Sequence, residues 1–315
     1  MTTESLPAAA PRPARRPARR PALRHRLHLG RRAAWALLIL ALVLTLFPFY
    51  WMIRTALTPA ADLATDTSSI WPHHATLINF ERVLGLTSTA QDIAAGGSGA
   101  TLDFLVSLRN SIIYAGLIAA GQTLFCAMAG YAFARLRFKG RELLFGVFVM
   151  ALMVPPIFTL LPNFALMKSL GWIGTFQGLI APSLLMTPFA VFFLRQFFLS
   201  IPTEVEEAAA LDGAGRWIQF WRVVLPMSRG PLFTIGLINA VWGWKDYLWP
   251  LLVGPDQNTR VLTAALGIFL QQSPNSAPDW TGLMAAAVLA VIPVALLLVF
   301  FGRRLVESLN FTGIK

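Results

Sequence analysis

The residues best placed to do chemistry in this chain of 315 residues lie in one polar stretch, residues 200–226. Thr203 is followed three residues later by Glu206, the spacing of a capping box, so a helix is expected to start there. Gly213 is placed to end it, because glycine accepts the left-handed conformation of a sharp turn. A second helix is expected to follow and to stop before Pro226. The first helix carries Ala208, Ala209 and Ala210 in a row, where small side chains let another surface approach the backbone closely. Glu207 beside them offers a fixed charge. The stretch is too polar to lie in lipid, so it is expected either to plug a groove in a soluble partner or to be an ordinary amphipathic surface helix.

A second constellation lies further on. Lys245 and Asp246 interrupt an apolar run, and at 100° per residue Asn239, Trp242, Asp246 and Trp249 share one helical face. Amide and carboxylate can bond sugar hydroxyls, and indoles can stack on the apolar faces of sugar rings. The same residues are also open to a structural contact with a neighbouring helix, or to a place at a membrane surface. No other chemistry stands out. The four histidines, His25, His28, His73 and His74, lack partners at metal-ligand spacing, so no metal site is expected. The single cysteine, Cys126, sits in an apolar run and reads as filler. No cofactor motif is present.

The elements that must hold these residues are set by composition. Hydrophobic residues make up 56% and charged residues 13%, against roughly 25% charged in soluble domains; mean hydropathy is +0.61. Such a chain cannot cover a water-exposed globule with polar surface. The formal charge of +11 is concentrated in the first 32 residues, which hold nine arginines and one acid. That argues against a folded nucleic-acid-binding face. Residues 1–32 are Pro/Ala/Arg-rich, with a Pro-Ala-Arg-Arg repeat at 13–16 and 17–20, and are expected to be a disordered basic tail that can meet anionic membrane lipid.

Six apolar runs follow, at 33–53, 110–134, 143–167, 171–194, 231–254 and 280–302. Each is long enough, at 1.5 Å per residue, to cross a ~30 Å hydrocarbon layer. The first is too long for a cleaved signal peptide and ends in the aromatic cluster Phe47, Phe49, Tyr50, Trp51, as an interfacial belt would. The expected organisation is the tail at 1–32, a first transmembrane helix at 33–56 and an extracytoplasmic loop at 57–103. A five-helix domain at 104–304 containing the 200–226 loop follows, then a tail at 305–315. Residues 96–99 read as a flexible stretch within the long loop. Lys and Arg divide 20 to 6 between one side and the rest of the chain, which puts both termini and the 200–226 loop in the cytoplasm. Pro155, Pro156, Pro162, Pro182 and Pro188 are expected to kink the third and fourth spans, as suits a pathway through the membrane and also occurs in structural spans. Arg135, Arg137, Lys139 and Arg141 read as cytoplasmic anchoring charges.

The pattern Glu207-Ala208-Ala209, three residues, Gly213, nine residues, Val223, one residue, Leu225-Pro226 resembles the coupling loop of permease subunits of binding-protein-dependent ABC importers. Only Val223 departs from the family pattern, replacing isoleucine. Residues 131–141, 242–250 and 310–315 are similar to stretches of the carbohydrate-uptake, maltose-permease-like branch, and the resemblance runs from about Pro48 to Lys315. It implies an all-α type I importer transmembrane fold in the inner or plasma membrane. It also implies a heterodimer with a second permease subunit, two ATPase subunits, an extracytoplasmic solute-binding protein and a small sugar or polyol substrate. Glu207, Ala208, Ala209, Gly213, Leu225 and Pro226 would couple the ATPase to the path. The chain lacks a G-x-x-x-x-G-K-[ST] phosphate loop, so it is expected to be a transport subunit, not an enzyme. An ion-coupled secondary transporter is the alternative class; it needs carboxylates at mid-membrane depth, where Asp246 is the candidate.

Overall fold

The computed structural model describes residues 23–63, 65, 69–97, 102–271 and 278–310, and these are helical and irregular, with no strand among them. Two compact units divide the chain, Met1–Trp51 and Met52–Lys315. The first unit is carried by α1 (Leu23–Ala56), whose apolar side chains from Trp35 to Phe47 are exposed along its length, as lipid-facing residues would be. The helix starts ten residues before the expected end of the disordered tail. Pro21 is the last proline ahead of it; once that ring is passed, no missing N–H or fixed φ opposes the helix. Residues 1–22 lie outside the described part.

In the second unit the end of α1 is followed by the 57–103 segment, which is not a bare loop. It forms α2 (Ile78–Val83) and α3 (Thr89–Ala94), the latter opened by a full capping box between Ser88 and Gln91. Arg82 ion-pairs with Asp92 and with Asp279, tying this segment to the start of the last helix. Asn79, wholly buried, donates 2.8 Å bonds to the carbonyls of Ala56 and Thr58. Residues 98 and 99 of the expected flexible stretch are outside the described residues.

The membrane body follows. α4 (Phe104–Arg135) is a continuous 32-residue helix. α5 (Arg141–Met150) leads through a short 3₁₀ turn to α6 (Ile157–Ser169), and the two halves bend by 102° at Val154-Pro155-Pro156. α7 (Phe176–Leu184) and α8 (Pro188–Ser200) bend by 43°, with Pro188 at the first position of α8, where its missing N–H is harmless. Then come α9 (Thr203–Leu211), α10 (Arg216–Gln219), a π turn at Phe220–Val224, and α11 (Leu225–Met227). α12 (Arg229–Lys245) sets off at 80° to the Arg216–Met227 segment. α13 (Leu248–Val253), α14 (Leu262–Gln271) and α15 (Trp280–Asn310) complete the chain.

Among the described residues three helices are long and apolar enough to cross a membrane, and up to six spans result if each bent pair counts as one. The first, second and sixth expected runs are single helices and the third and fourth are bent pairs; the last bent pair, Arg216–Lys245, is offset from the expected 231–254 run, which is itself split between α12 and α13. α14, a mostly apolar helix of ten residues, was not anticipated; it is too short to register as a span. The C-terminal motif at 310–315 falls almost wholly outside the described residues.

Packing centres on α4. At one end its Cys126, Tyr131 and Ala134 join Leu194 and Phe198 of α8 and Phe220 of the π turn. At its other half Tyr114 and Ile118 meet Leu179, Trp249 and Val253. α12 reaches α4 closely because Gly243 lies against Ala115: a Cβ there would sit 3.0 Å from the Ala115 Cα.

Candidate functional site

The 200–226 segment forms the expected helix and corner, with one change at each end. α9 starts after Pro202, whose fixed φ suits a helix entry, and its N-cap makes no side-chain bond. The capping box between Thr203 and Glu206 is not made, because the Glu206 carboxylate is turned inward. At the other end Gly213 has φ +84°. Its N–H donates to the Ala210 carbonyl at 3.0 Å and the Ala214 N–H to Ala209 at 2.9 Å, the paired bonds of a Schellman ending. No atom lies within 4 Å of a Cβ built on Gly213; its backbone, not its packing, requires glycine.

The second helix does not stop before Pro226 but passes through it to Met227. The π turn at Phe220–Val224 widens the helix just ahead of the proline, where a ring and an absent N–H are tolerated. Ser228 then closes the turn, its buried hydroxyl donating to the Val224 carbonyl at 2.6 Å. Leu225 packs against the α4–α8 core, while Pro226 is exposed.

Two neighbouring carboxylates take opposite roles. Glu207 is exposed, along with Ala208. Glu206 is 4% exposed, in ion-pair contact with the Arg135 Nε at 2.7 Å and with the Arg216 guanidinium at 3.7 Å. The Tyr131 hydroxyl donates to it at 3.3 Å. Arg135 also donates to the Ile201 carbonyl at the end of α8. Gln219, buried, bonds the Ala214 carbonyl at 2.8 Å and braces the corner. The cluster around Glu206 thus joins α4, α8, α9 and α10. Sequence reasoning missed it: Arg135 read as an anchoring charge, and the motif pointed to Glu207. The available signal was Tyr131 and Arg135 four residues apart, on one face at the end of a span.

The outer surface of the segment also carries large apolar side chains. Leu211 is 90% exposed, Trp217 61% and Ile218 44%, with Trp217 edge-on to Trp221 at 5.8 Å. Large apolar side chains are thus gathered on one exposed corner of the protein.

The second constellation is not brought together as expected. α12 ends at Lys245, and the chain breaks at Asp246 and Tyr247 before α13, so Asp246 and Trp249 do not continue the face of Asn239 and Trp242. Asp246 accepts a 2.7 Å bond from the Tyr114 hydroxyl, and its carbonyl accepts one from Thr263 at 2.5 Å. Trp249 is buried and its indole N–H donates to the Leu179 carbonyl at 2.9 Å. Both therefore hold the break in place. Trp242 is 62% exposed, with the Lys245 ammonium 4.1 Å above its ring. Asn239 is buried, and its side-chain NH₂ finds no acceptor among the described residues. A groove of about 540 Å³, walled by small residues such as Gly116, Ala119, Gly236 and Ala240 together with Thr123, runs between α4, α12 and α15.

The chain is similar to known proteins. Residues 122–310 match the family described as the binding-protein-dependent transport system inner membrane component. The trehalose/maltose transport system permease protein MalG of Thermococcus litoralis is 32% identical over 279 residues, covering 88% of this chain and 94% of that one. The sn-glycerol-3-phosphate transport system permease protein UgpE of Yersinia pestis is 33% identical over 277 residues, covering 86% and 94%. Among solved structures, a chain from a bacterial ABC transporter involved in the import of the acidic polysaccharide alginate matches with a TM-score of 0.75. It covers 91% of this chain and 99% of that chain at 21% identity, a likeness of fold.

Proposed function

Since this chain belongs to the family of binding-protein-dependent transport system inner membrane components, and is a multi-pass membrane protein, we propose that it is one permease subunit of an ATP-driven importer for a sugar or related polyol. Its relatives named for trehalose, maltose and sn-glycerol 3-phosphate support that substrate class. It pairs with a second permease subunit and receives cargo from an extracytoplasmic binding protein. ATP is hydrolysed by separate subunits seated on the corner formed by α9 and α10, with both termini and this corner on the cytoplasmic side.

One observation carries the docking assignment: the corner is exposed on its outer face, at Glu207, Ala208 and Leu211, while its root is held by a buried ion cluster. A handle needs that combination, a free outer face and a rigid attachment. Within the path, Asn239 with its unpaired amide and the exposed Trp242 are the substrate candidates; Asp246 and Trp249 serve the break between α12 and α13. The ion-coupled alternative loses its candidate carboxylate to the same assignment.

The test replaces Glu207 with lysine in the tagged chain, expressed in its own host in place of the native copy. The variant is expected to insert at normal level but to lose the ATPase polypeptide on purification. Uptake of labelled trehalose, maltose or sn-glycerol 3-phosphate at the unaltered ATP-dependent rate, with the ATPase retained, refutes the docking assignment.

A further inference from the structure

Glu206 is the buried member of a glutamate pair that the exposed docking face does not use. Its carboxylate meets Arg135 and Tyr131, both in the last turns of α4. Arg135 reaches on to the Ile201 carbonyl, and Arg216 closes on the same carboxylate from α10. A second tie sits beside the first: Arg195 of α8 donates to the Phe133 carbonyl at 3.2 Å and contacts Glu142 at 3.2 Å. Around these polar contacts the rings of Tyr131, Phe198 and Phe220 pack together, the Tyr131 and Phe220 centroids 5.2 Å apart. Close-packed side chains are little compressible and pass strain on to their neighbours.

The far end of α4 is pinned as well. The Asn110 side-chain NH₂ donates to the carbonyls of Asn258 and Arg260 at 2.9 and 3.0 Å, and the Ser111 hydroxyl accepts the Leu262 N–H at 2.7 Å. Between Asn110 and Arg135 α4 runs unbroken, about 38 Å at 1.5 Å per residue, whereas the pairs α5–α6 and α7–α8 are bent by 102° and 43°. Prolines interrupt those segments; α4 contains none.

We infer that Glu206 is a positioning residue for transport: through Arg135 and Tyr131 it clamps the docking helix α9 to α4, so that α4 carries a displacement of the docking corner as a rigid rod to the loop at 256–262. The inference rests on the docking reading above. Glu207 and Leu211 would engage the motor, and Glu206 would pass its motion on. Loss of the clamp should leave the motor bound and the far loop unresponsive.

The experiment uses the complete assembly, purified through the tagged chain from its own host, in a Cys126→Ala background with Asn258→Cys as reporter. Asn258 is exposed and bonds through its backbone carbonyl, so the reporter side chain leaves the Asn110 contact in place. The readout is the rate of maleimide labelling with and without MgATP plus vanadate, measured beside ATPase retention. With Glu206 intact, nucleotide trapping is expected to change the labelling rate. In Glu206→Gln the ATPase is expected to stay bound while that change is lost, and the charge swap Glu206→Arg with Arg135→Glu is expected to restore it. An undiminished response in Glu206→Gln overturns the inference and leaves docking untouched. Loss of the ATPase in that variant also overturns it, by making Glu206 part of the docking face. No response with Glu206 intact overturns the docking reading and the inference together. Should Glu206→Gln fail to accumulate, Arg135→Lys, which keeps the charge but loses the reach to Ile201, is expected to weaken the response; an undiminished one has the same overturning force.

Discussion

Replacing Arg135 with methionine leaves the Glu206 carboxylate buried without its closest counter-charge, and the structure gives the size of the effect. The two side chains are 10% and 5% exposed and 2.7 Å apart, so their separation belongs to the class of broken buried pairs, about 3–5 kcal/mol. Arg216 stays at 3.7 Å, but its side chain is 62% exposed, and solvent screening limits such a contact to about 0–1 kcal/mol. Arg135→Met should therefore sit near the lower end, about 3 kcal/mol, and Arg216→Met within about 1 kcal/mol of the unaltered chain. A second change, Glu206→Gln, removes the stranded charge and should recover most of the Arg135→Met loss. Hydrogen exchange of the α9 amides in detergent reads this directly. A loss of 3 kcal/mol in the opening free energy speeds exchange by about a hundredfold, confined to α9 and the Gly213 corner. Equal acceleration by Arg135→Met and Arg216→Met would refute the reasoning. So would additive effects of Arg135→Met and Glu206→Gln, since two independent groups add and an ion pair does not.

Other outcomes follow from single positions. Gly213→Ala should destabilise the corner by about 1–2 kcal/mol, because alanine meets a backbone penalty at positive φ and no steric contact; Gly213→Asn should lose less, and thermal unfolding of the purified chain separates the two. Gly243→Val should force α12 away from Ala115 and lower stability by about 1–3 kcal/mol, read in the same thermal assay; an unchanged midpoint would mean the helices do not pack there. Tyr114→Phe and Asp246→Ala remove the same hydrogen bond, so each should cost about 1–3 kcal/mol and the double variant little more than either. If uptake falls with Asp246→Ala while Tyr114→Phe transports normally, Asp246 touches the cargo and its role in the break is secondary.

The chain's own order of residues was enough for several conclusions, each resting on local physics. The apolar runs marked the membrane segments, since crossing hydrocarbon needs a length of uncharged helix and little else. Three of the five prolines marked where those segments break, Pro155 and Pro156 in one and Pro188 in the other, because a missing N–H acts on its own helix; Pro162 and Pro182 lie inside α6 and α7 instead. Gly213 announced its turn, since positive φ is a property of one residue. The angles of the breaks, 102° against 43°, were not legible, because neighbouring helices set them.

Tertiary contacts decided what periodicity could not. Asn239, Trp242, Asp246 and Trp249 share a face only if their helix continues. It stops at Lys245, where Tyr114 and Thr263, distant in the chain, hold Asp246 in an extended turn. Glu206 and Glu207 look alike in sequence, two carboxylates in the first turns of a short helix. Which one faces water and which is buried follows from Tyr131 and Arg135, about seventy residues earlier on another helix, whose charge and hydroxyl stabilise an ionised group only in the place where the fold brings them.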